Sequence, residues 1–288
     1  MNSTLSVIIA SAGKENRAKS ILQAIASIEK QKNLNLKIIV VFNGPNVSPD
    51  LTAVLEKNEN VILEYQEEPS LPNAIHYGRS CVDTEYFCFL DDDDLYIPDT
   101  LHLRCQILDD NQDIDVVASN GLVDNGRTKS LLFPCILPLD KRPMEELFKQ
   151  NWLASCGGLF RTKTVDGRYF NKAVKYYEWT MTAFLLALDK KITYLDAPTF
   201  IINNTEGSLS ASPEYLESNP RFLKLLLSYP IPQNIKKIIK QRRSASFHNI
   251  SETYLRQKKY GKAWMYHLKS LCSSQGLKYL SYTRHLFH

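Results

Sequence analysis

Four consecutive aspartates, Asp91 to Asp94, follow directly on an aromatic apolar run, Glu85 to Leu90 (EYFCFL). Even at water-like dielectric, two carboxylates in contact repel by about 1 kcal/mol, and by more once they are partly buried. A cation has to offset that repulsion. A hard divalent ion such as Mg²⁺ or Mn²⁺, taking oxygen ligands and sharing a bound diphosphate, has the right chemistry. If the segment is extended, Asp91 and Asp93 project to one side, so that one carboxylate reaches the ribose and the other the metal. Taken alone, the run suits a solvated turn before the helix that follows Pro98 just as well, because aspartates complement a helix amino terminus.

The elements around the run decide between these readings. Leu5 to Ala10 (LSVIIA) and Leu36 to Phe42 (LKIIVVF) are apolar runs rich in β-branched residues, the pattern of strands covered on both faces. Between them, Ile21, Leu22, Ile25 and Ile28 recur at helical spacing over Arg17 to Lys30, and Asn43-Gly44-Pro45 signals a turn. The pattern predicts helices at Pro49 to Asn58, Asn73 to Val82, Thr100 to Asp109 and Lys141 to Gln150. It predicts further strands at Val61 to Tyr65, Glu85 to Leu90 and Asp115 to Ser119. Such alternation implies an open, mostly parallel sheet built from crossover units, which binds ligands beyond the carboxyl ends of its strands. Ser11, Asn43 and Asp91 to Asp94 therefore share one crevice, and the solvated-turn reading loses weight.

In this context the sequence resembles the GT-A fold inverting glycosyltransferases of the large bacterial polysaccharide family, family 2. The resemblance rests on SVIIAS at the start, KIIVVFNG, and EYFCFLDDDDLYIP, and it covers roughly residues 5 to 210. It implies a GT-A (Rossmann-like) α/β sheet flanked by helices, a nucleotide-diphosphate sugar as donor, and Mn²⁺ or Mg²⁺ as cofactor. Asp91 is then expected at the sugar ring of the nucleotide and at the metal, Asp93 at the metal, and Asp92 assisting donor binding together with Ser11 and Asn43. Tyr177-Glu178-Trp179 matches the family's EDW-like motif and nominates Glu178 as the base that takes the acceptor's proton. Gly157-Gly158-Leu159-Phe160-Arg161 looks like the acceptor-side segment, which puts Gly157, Gly158 and Trp179 near the acceptor.

Three positions depart from the family's pattern. Phe42 and Asn43 stand where paired aspartates are usual, so an amide, able to donate and accept, has to meet the nucleobase. Ala74-Ile75-His76 replaces an ARN that could help hold a diphosphate, and 202–208 (INNTEGS) lacks the usual arginine and histidine. His76 has no second histidine or cysteine at ligand spacing, and Trp152 suits the core better than a sugar ring.

Composition sets the remaining bounds. The 44% apolar and 23% charged fractions are those of a globular chain, and the six cysteines form no CxxC pair, which fits a reducing cytoplasm. No signal peptide and no run of about 18 uncharged apolar residues is evident, so any membrane contact is expected to be peripheral, on the inner face. From Pro213 to His288 there are 14 Lys+Arg and 3 Asp+Glu, a net of +11. The rest has 35 − 14 = 21 basic and 31 − 3 = 28 acidic residues, a net of −7. We therefore expect a catalytic domain over 1–212 and a basic, purely helical extension over 213–288. Within it Lys236-Lys237-Ile238-Ile239-Lys240-Gln241-Arg242-Arg243 could lie on an anionic membrane presenting a lipid-linked acceptor, or be a solvated face packed on the body. Nucleic acid is not an expected partner, because no binding motif accompanies the charge. Two rival functions stay open. A nucleotidyltransferase would call for a Gly-rich phosphate loop where Ser11-Ala12-Gly13-Lys14 has one glycine, and a catalytically degenerate nucleotide-sugar-binding module would keep the fold without turnover.

Overall fold

A computed structural model describes residues 3–171, 174–203 and 213–287. The chain divides into two compact units, Met1–Thr205 and Glu206–His288.

The first unit is an α/β layer. Its strands in chain order are β1 (Ser3–Ser11), β2 (Leu34–Asn43), β3 (Val61–Gln66), β4 (Tyr86–Phe89), β5 (Leu95–Tyr96), β6 (Val116–Asp124), β7 (Lys129–Leu131), β8 (Gly158–Arg161) and β9 (Ile192–Asn203). They form one sheet in the order β3-β2-β1-β4-β8-β6-β9-β5, with β7 on the edge of β6. β1, β2, β3, β4, β6 and β9 run in one direction, whereas β5, β7 and β8 run against it. The mostly parallel α/β sheet expected from the alternation is what the chain forms.

The crossover helices are α1 (Ala18–Glu29), α2 (Pro49–Leu55), α3 (Leu71–Ser80) and α4 (Leu101–Asp110), followed by α5 (Pro143–Leu147) and α6 (Glu178–Asp189). Ser48 and Ser70 each accept a main-chain N–H three residues on, from Leu51 and Asn73, and a proline lies in the first turn of both helices. This pairing of cap and proline fixes where α2 and α3 start. The helix expected over Lys141 to Gln150 shrinks to the five residues of α5. Pro143 opens it, and the buried Leu147, Phe148, Trp152 and Leu153 then carry the chain straight into the core. Trp152 is fully buried and donates its indole N–H to the Pro143 carbonyl at 2.9 Å.

The core joins the inward faces of β1, β2, β4 and α1 with those of α4 and β9, from Leu5, Val7 and Ile9 through Ile21, Ile25 and Ile28 to Leu101, Leu108 and Phe200. Every residue from Leu5 to Ile9 is buried, as a strand covered on both sides requires.

The second unit is helical: α7 (Pro213–Leu226), α8 (Gln233–Arg256), α9 (Tyr260–Leu271) and a 3₁₀ segment, Gly276–Leu286. Ile250, Tyr254, Ala263 and Leu286 form its core. Two buried serines of α8 tie it to α9, Ser244 through the Ser270 carbonyl at 3.2 Å and Ser251 through the Ala263 carbonyl at 2.7 Å. Ile235 and Ile239 are buried, so the exposed side of the 236–243 segment is chiefly cationic. Among the described residues no helix is long and apolar enough to cross a membrane.

Candidate functional site

The parallel register of β1, β2 and β4 brings Ser11, Asn43 and the Asp91–Asp94 run to the same edge of the sheet. The aspartates do not continue the strand. The Asp94 N–H donates to the Asp91 carbonyl at 3.1 Å and closes a turn. The run is therefore a turn rather than a continued strand, with Asp92 and Asp94 buried, Asp91 and Asp93 partly exposed, and different partners for each carboxylate.

Asp92 is buried, accepts the Ser11 hydroxyl, and is paired with the Arg17 guanidinium. The same Arg17 Nη2 lies 3.1 Å from Asp93 Oδ2. Asp91 accepts the Ser155 hydroxyl at 2.6 Å. Asp94 accepts the Asn203 main-chain N–H at 3.0 Å and the Cys156 thiol at 3.7 Å, while the Asn203 side-chain amide donates to the Asp93 carbonyl at 2.5 Å. Burial, more than the neighbouring charges, raises Asp91 and Asp94 above the ordinary carboxylate range. Arg17 moves up: burial opposes its charge, but the hydrogen bond and charge of Asp92 lead the group of effects that outweigh it. Arg17, Ser155 and Cys156 were not singled out in the sequence, and Asp94 entered only as a member of the acidic run. Ser155 and Cys156 reach the turn because β8 pairs antiparallel with β4, with Leu159 opposite Cys88, so that the residues leading into β8 meet those leaving β4.

Gly13 shapes the floor. It has φ +62°, and a Cβ there would lie 2.6 Å from the Phe42 ring and 2.9 Å from Val47. Phe42, one of the departures from the family's pattern, therefore fills space beneath the first loop, where its ring is fully buried. Asn43 lines an open cavity of about 390 Å³ with Lys14, Gly44, Pro69 and Leu71. Its amide oxygen accepts the Ser70 N–H at 2.8 Å, so the amide N–H group is what it offers a ligand.

Glu178 opens α6 and is raised by burial. Pro72, Ile75, Phe170 and Trp179 line the cleft beside it, which at about 10 Å³ holds roughly one water. The Tyr176 N–H donates to Glu178 Oε1 at 3.1 Å, and Tyr176 itself sits at φ +74°, a conformation costly for a bulky residue and common where a functional side chain is being aimed. Trp179 packs edge-on against Phe89 at 5.0 Å, which anchors the start of α6 to β4 two residues before Asp91. Gly157 and Gly158 are buried against Phe200, Leu153 and Phe160. They present no surface to an acceptor, and what their segment offers the crevice is Ser155. His76 is exposed and packs over Gly167. Of the late 202–208 segment, Ile202 and Asn203 are described, and 204–208 lie outside the described residues.

Among the described residues no three His, Cys, Asp or Glu side chains converge as a metal cage. The donor set is instead one or two carboxylates with an excess of negative charge over the single Arg17. That fits a magnesium-type ion, which keeps most of its shell for water and phosphate oxygens, with Asp93 and Asp91 as the carboxylates to hold it.

The chain matches relatives in sequence and solved structures in fold. An uncharacterised glycosyltransferase of Rickettsia typhi is 32% identical over 120 residues, 41% of this chain and 37% of the relative. One from Rickettsia prowazekii is 29% identical over 134 residues, 46% of this chain and 41% of the relative. The matched segments thus span well under half of these relatives. The crystal structure of S. aureus TarS 1-349 in complex with UDP-GlcNAc superposes with TM-score 0.68 at 17% identity, covering 93% of this chain and 80% of that one. The complex of the same protein with UDP gives TM-score 0.61 over 83% of this chain and 70% of the other. At that identity the likeness establishes the fold, GT-A. Residues 6–166, from β1 past the acidic turn to the lead-in of α6, match the sequence profile of glycosyl transferase family 2, and the chain belongs to that family.

Proposed function

We propose that the chain transfers a sugar from a nucleoside-diphosphate donor to a hydroxyl of a glycan or lipid-linked acceptor, with inversion at the anomeric carbon. The observation that carries this reading is the acidic turn itself: four carboxylates and one arginine at the carboxyl edge of the sheet, with Glu178 tied to the same strand through Trp179 and Phe89. A divalent ion bound at Asp93 and Asp91 would supply Lewis-acid stabilisation of the departing diphosphate.

The chain's own residues do the rest. The Asn43 amide N–H meets a carbonyl of the nucleobase, and Lys14 lies on the same cavity. Ser11 and Arg17 hold Asp92, and Ser155 holds Asp91, so the carboxylates are oriented before the donor arrives. Arg17 brings positive charge to the acidic turn, whereas the altered 74–76 segment supplies no arginine. Glu178, raised by burial, takes the acceptor's proton as its oxygen attacks, with one carboxylate oxygen fixed by Tyr176. That TarS was crystallised with UDP-GlcNAc supports a uridine nucleotide as the first donor to test. Family membership and the retained carboxylates favour turnover over a degenerate binding module or a nucleotidyltransferase.

Calorimetric titration with UDP-, GDP- and dTDP-sugars, each with and without Mn²⁺, tests the reading. Metal-dependent binding of one of them, lost in Asp93→Ala, is the expected result. Equal binding by that variant refutes the metal role, and no binding of any donor refutes the transfer.

A further inference from the structure

The three helices of the carboxy-terminal unit border a separate open cavity of about 440 Å³. Arg221 and Lys224 lie one turn apart on α7, Arg243 and Phe247 one turn apart on α8, and Tyr266 and Lys269 one turn apart on α9, all lining that cavity. Four cationic side chains from three helices thus face one concavity. The single carboxylate there, Glu217, is already engaged: it accepts the Tyr254 hydroxyl and has Lys262 Nζ 4.0 Å away.

The wall is aromatic. The Phe247 and Tyr266 rings are 6.3 Å apart, the Arg243 guanidinium stands 5.3 Å from the Phe247 centroid, and Lys269 Nζ is 4.8 Å from that of Tyr266. Arg243 Nε is shut off from solvent with no hydrogen-bond partner, and such a donor is rarely left unmatched. Among the described residues no ion pair engages Arg221, Lys224, Arg243 or Lys269, whereas Arg256 pairs with Glu252 and Lys262 with Glu217.

We propose that this cavity binds a phosphate-bearing group, with Arg243 as the forked donor and Arg221, Lys224 and Lys269 as the cationic rim. The site lies wholly within the helical unit and does not depend on the acidic turn of the other one. A soluble phosphate compound and the headgroup of an anionic lipid carry the same chemistry, and the test separates them.

Cys272 is a free, exposed thiol on the cavity's edge, and Cys135, also free and exposed, belongs to the other unit and serves as reference. Maleimide labelling of the full chain, resolved by peptide mass spectrometry, reads occupancy at Cys272. One arm adds inorganic pyrophosphate. The other adds vesicles of phosphatidic acid in phosphatidylcholine, with phosphatidylcholine alone as control. We expect at least a threefold slower reaction of Cys272 in one arm, with Cys135 unchanged. Protection by pyrophosphate identifies a soluble ligand, and protection by the phosphatidic acid vesicles alone identifies a lipid headgroup.

The exposed pair Arg221→Gln/Lys269→Gln should abolish protection at an unchanged unfolding midpoint, and Lys224→Gln alone should weaken it should the pair not fold. Asp93→Asn should keep it, which separates this site from donor binding. Unprotected Cys272 in both arms, or protection that survives the charge-removing variants, overturns the proposal.

Discussion

Replacing Arg17 with alanine probes the electrostatics of the acidic turn most directly. The guanidinium serves two carboxylates, and the side chains are 34% exposed for Arg17, 9% for Asp92 and 23% for Asp93. Removing one partner of a fully buried pair costs about 3–5 kcal/mol, whereas a solvent-exposed pair contributes about 0–1 kcal/mol. With Arg17 one-third exposed, solvent screening places the loss between these limits, at about 2 kcal/mol. In a unit of this size that lowers the thermal midpoint by about 4–8 °C. Differential scanning calorimetry of wild type, Arg17→Ala, Asp92→Asn and the double variant completes a cycle. The coupling between the two sites should be about 1–2 kcal/mol, because Asp92→Asn removes the charge that Arg17 was there to meet. Mn²⁺ alone should raise the midpoint of Arg17→Ala more than that of wild type, since it supplies the missing positive charge. Additive losses, or an Arg17→Ala protein as stable as wild type, would refute the argument that this arginine offsets the crowded carboxylates.

Other outcomes follow from the same geometry. Glu178→Gln should lower kcat by about 10²- to 10⁴-fold with donor affinity unchanged by calorimetry; wild-type turnover would assign the base elsewhere. A base acts ionised and Glu178 is raised by burial, so the rate should fall on the acid side at a pH above the ordinary glutamate value of about 4.3. A pH–rate profile without that limb, or with it at or below the ordinary value, contradicts the assignment. Gly13→Ala should destabilise by about 2–4 kcal/mol, from the left-handed backbone and the collision with Phe42, as read by urea unfolding. In a Phe42→Ala background, itself destabilised by the lost core ring, the added cost of Gly13→Ala should shrink toward the backbone part and the contact with Val47. Ser155→Ala should weaken donor binding measurably while leaving Glu178's pH limb in place, because the Ser155 hydroxyl serves Asp91 and makes no contact with Glu178.

The amino-terminal half was legible because its signals are local. Strands such as Leu5 to Ala10 and Leu36 to Phe42 are continuous apolar runs, and Ser48 and Ser70 with their prolines mark helix starts in the sequence itself. The position of the carboxylates followed from topology alone. Their partners did not: the turn closed between Asp94 and Asp91 sets which neighbour each carboxylate meets. Arg17 was visible only as the start of a helical pattern, although the repulsion among the aspartates called for a cation and the loop after β1 was the nearest source of one. Ser155 and Cys156 carried no local mark, because pairing between β4 and β8 is a long-range event. The same holds for Asn43, whose amide is half committed to Ser70 by the way β2 meets the lead-in to α3.

The reversed strand in the middle of the sheet has a bearing on how such a scaffold diversifies. In a purely forward-running sheet, material reaching the binding edge has to follow a strand, and so is tied to the crossover that comes next. Here a backward strand delivers its preceding stretch to that edge, so a peptide lying between β7 and β8 can be lengthened, shortened or exchanged with no crossover disturbed. The constraints on such exchanges are the buried Leu147, Phe148, Trp152 and Leu153, which the core has to keep, and the register of Leu159 with Cys88, since a slip of one residue would carry Ser155 away from Asp91 and turn the strand's inward side chains outward.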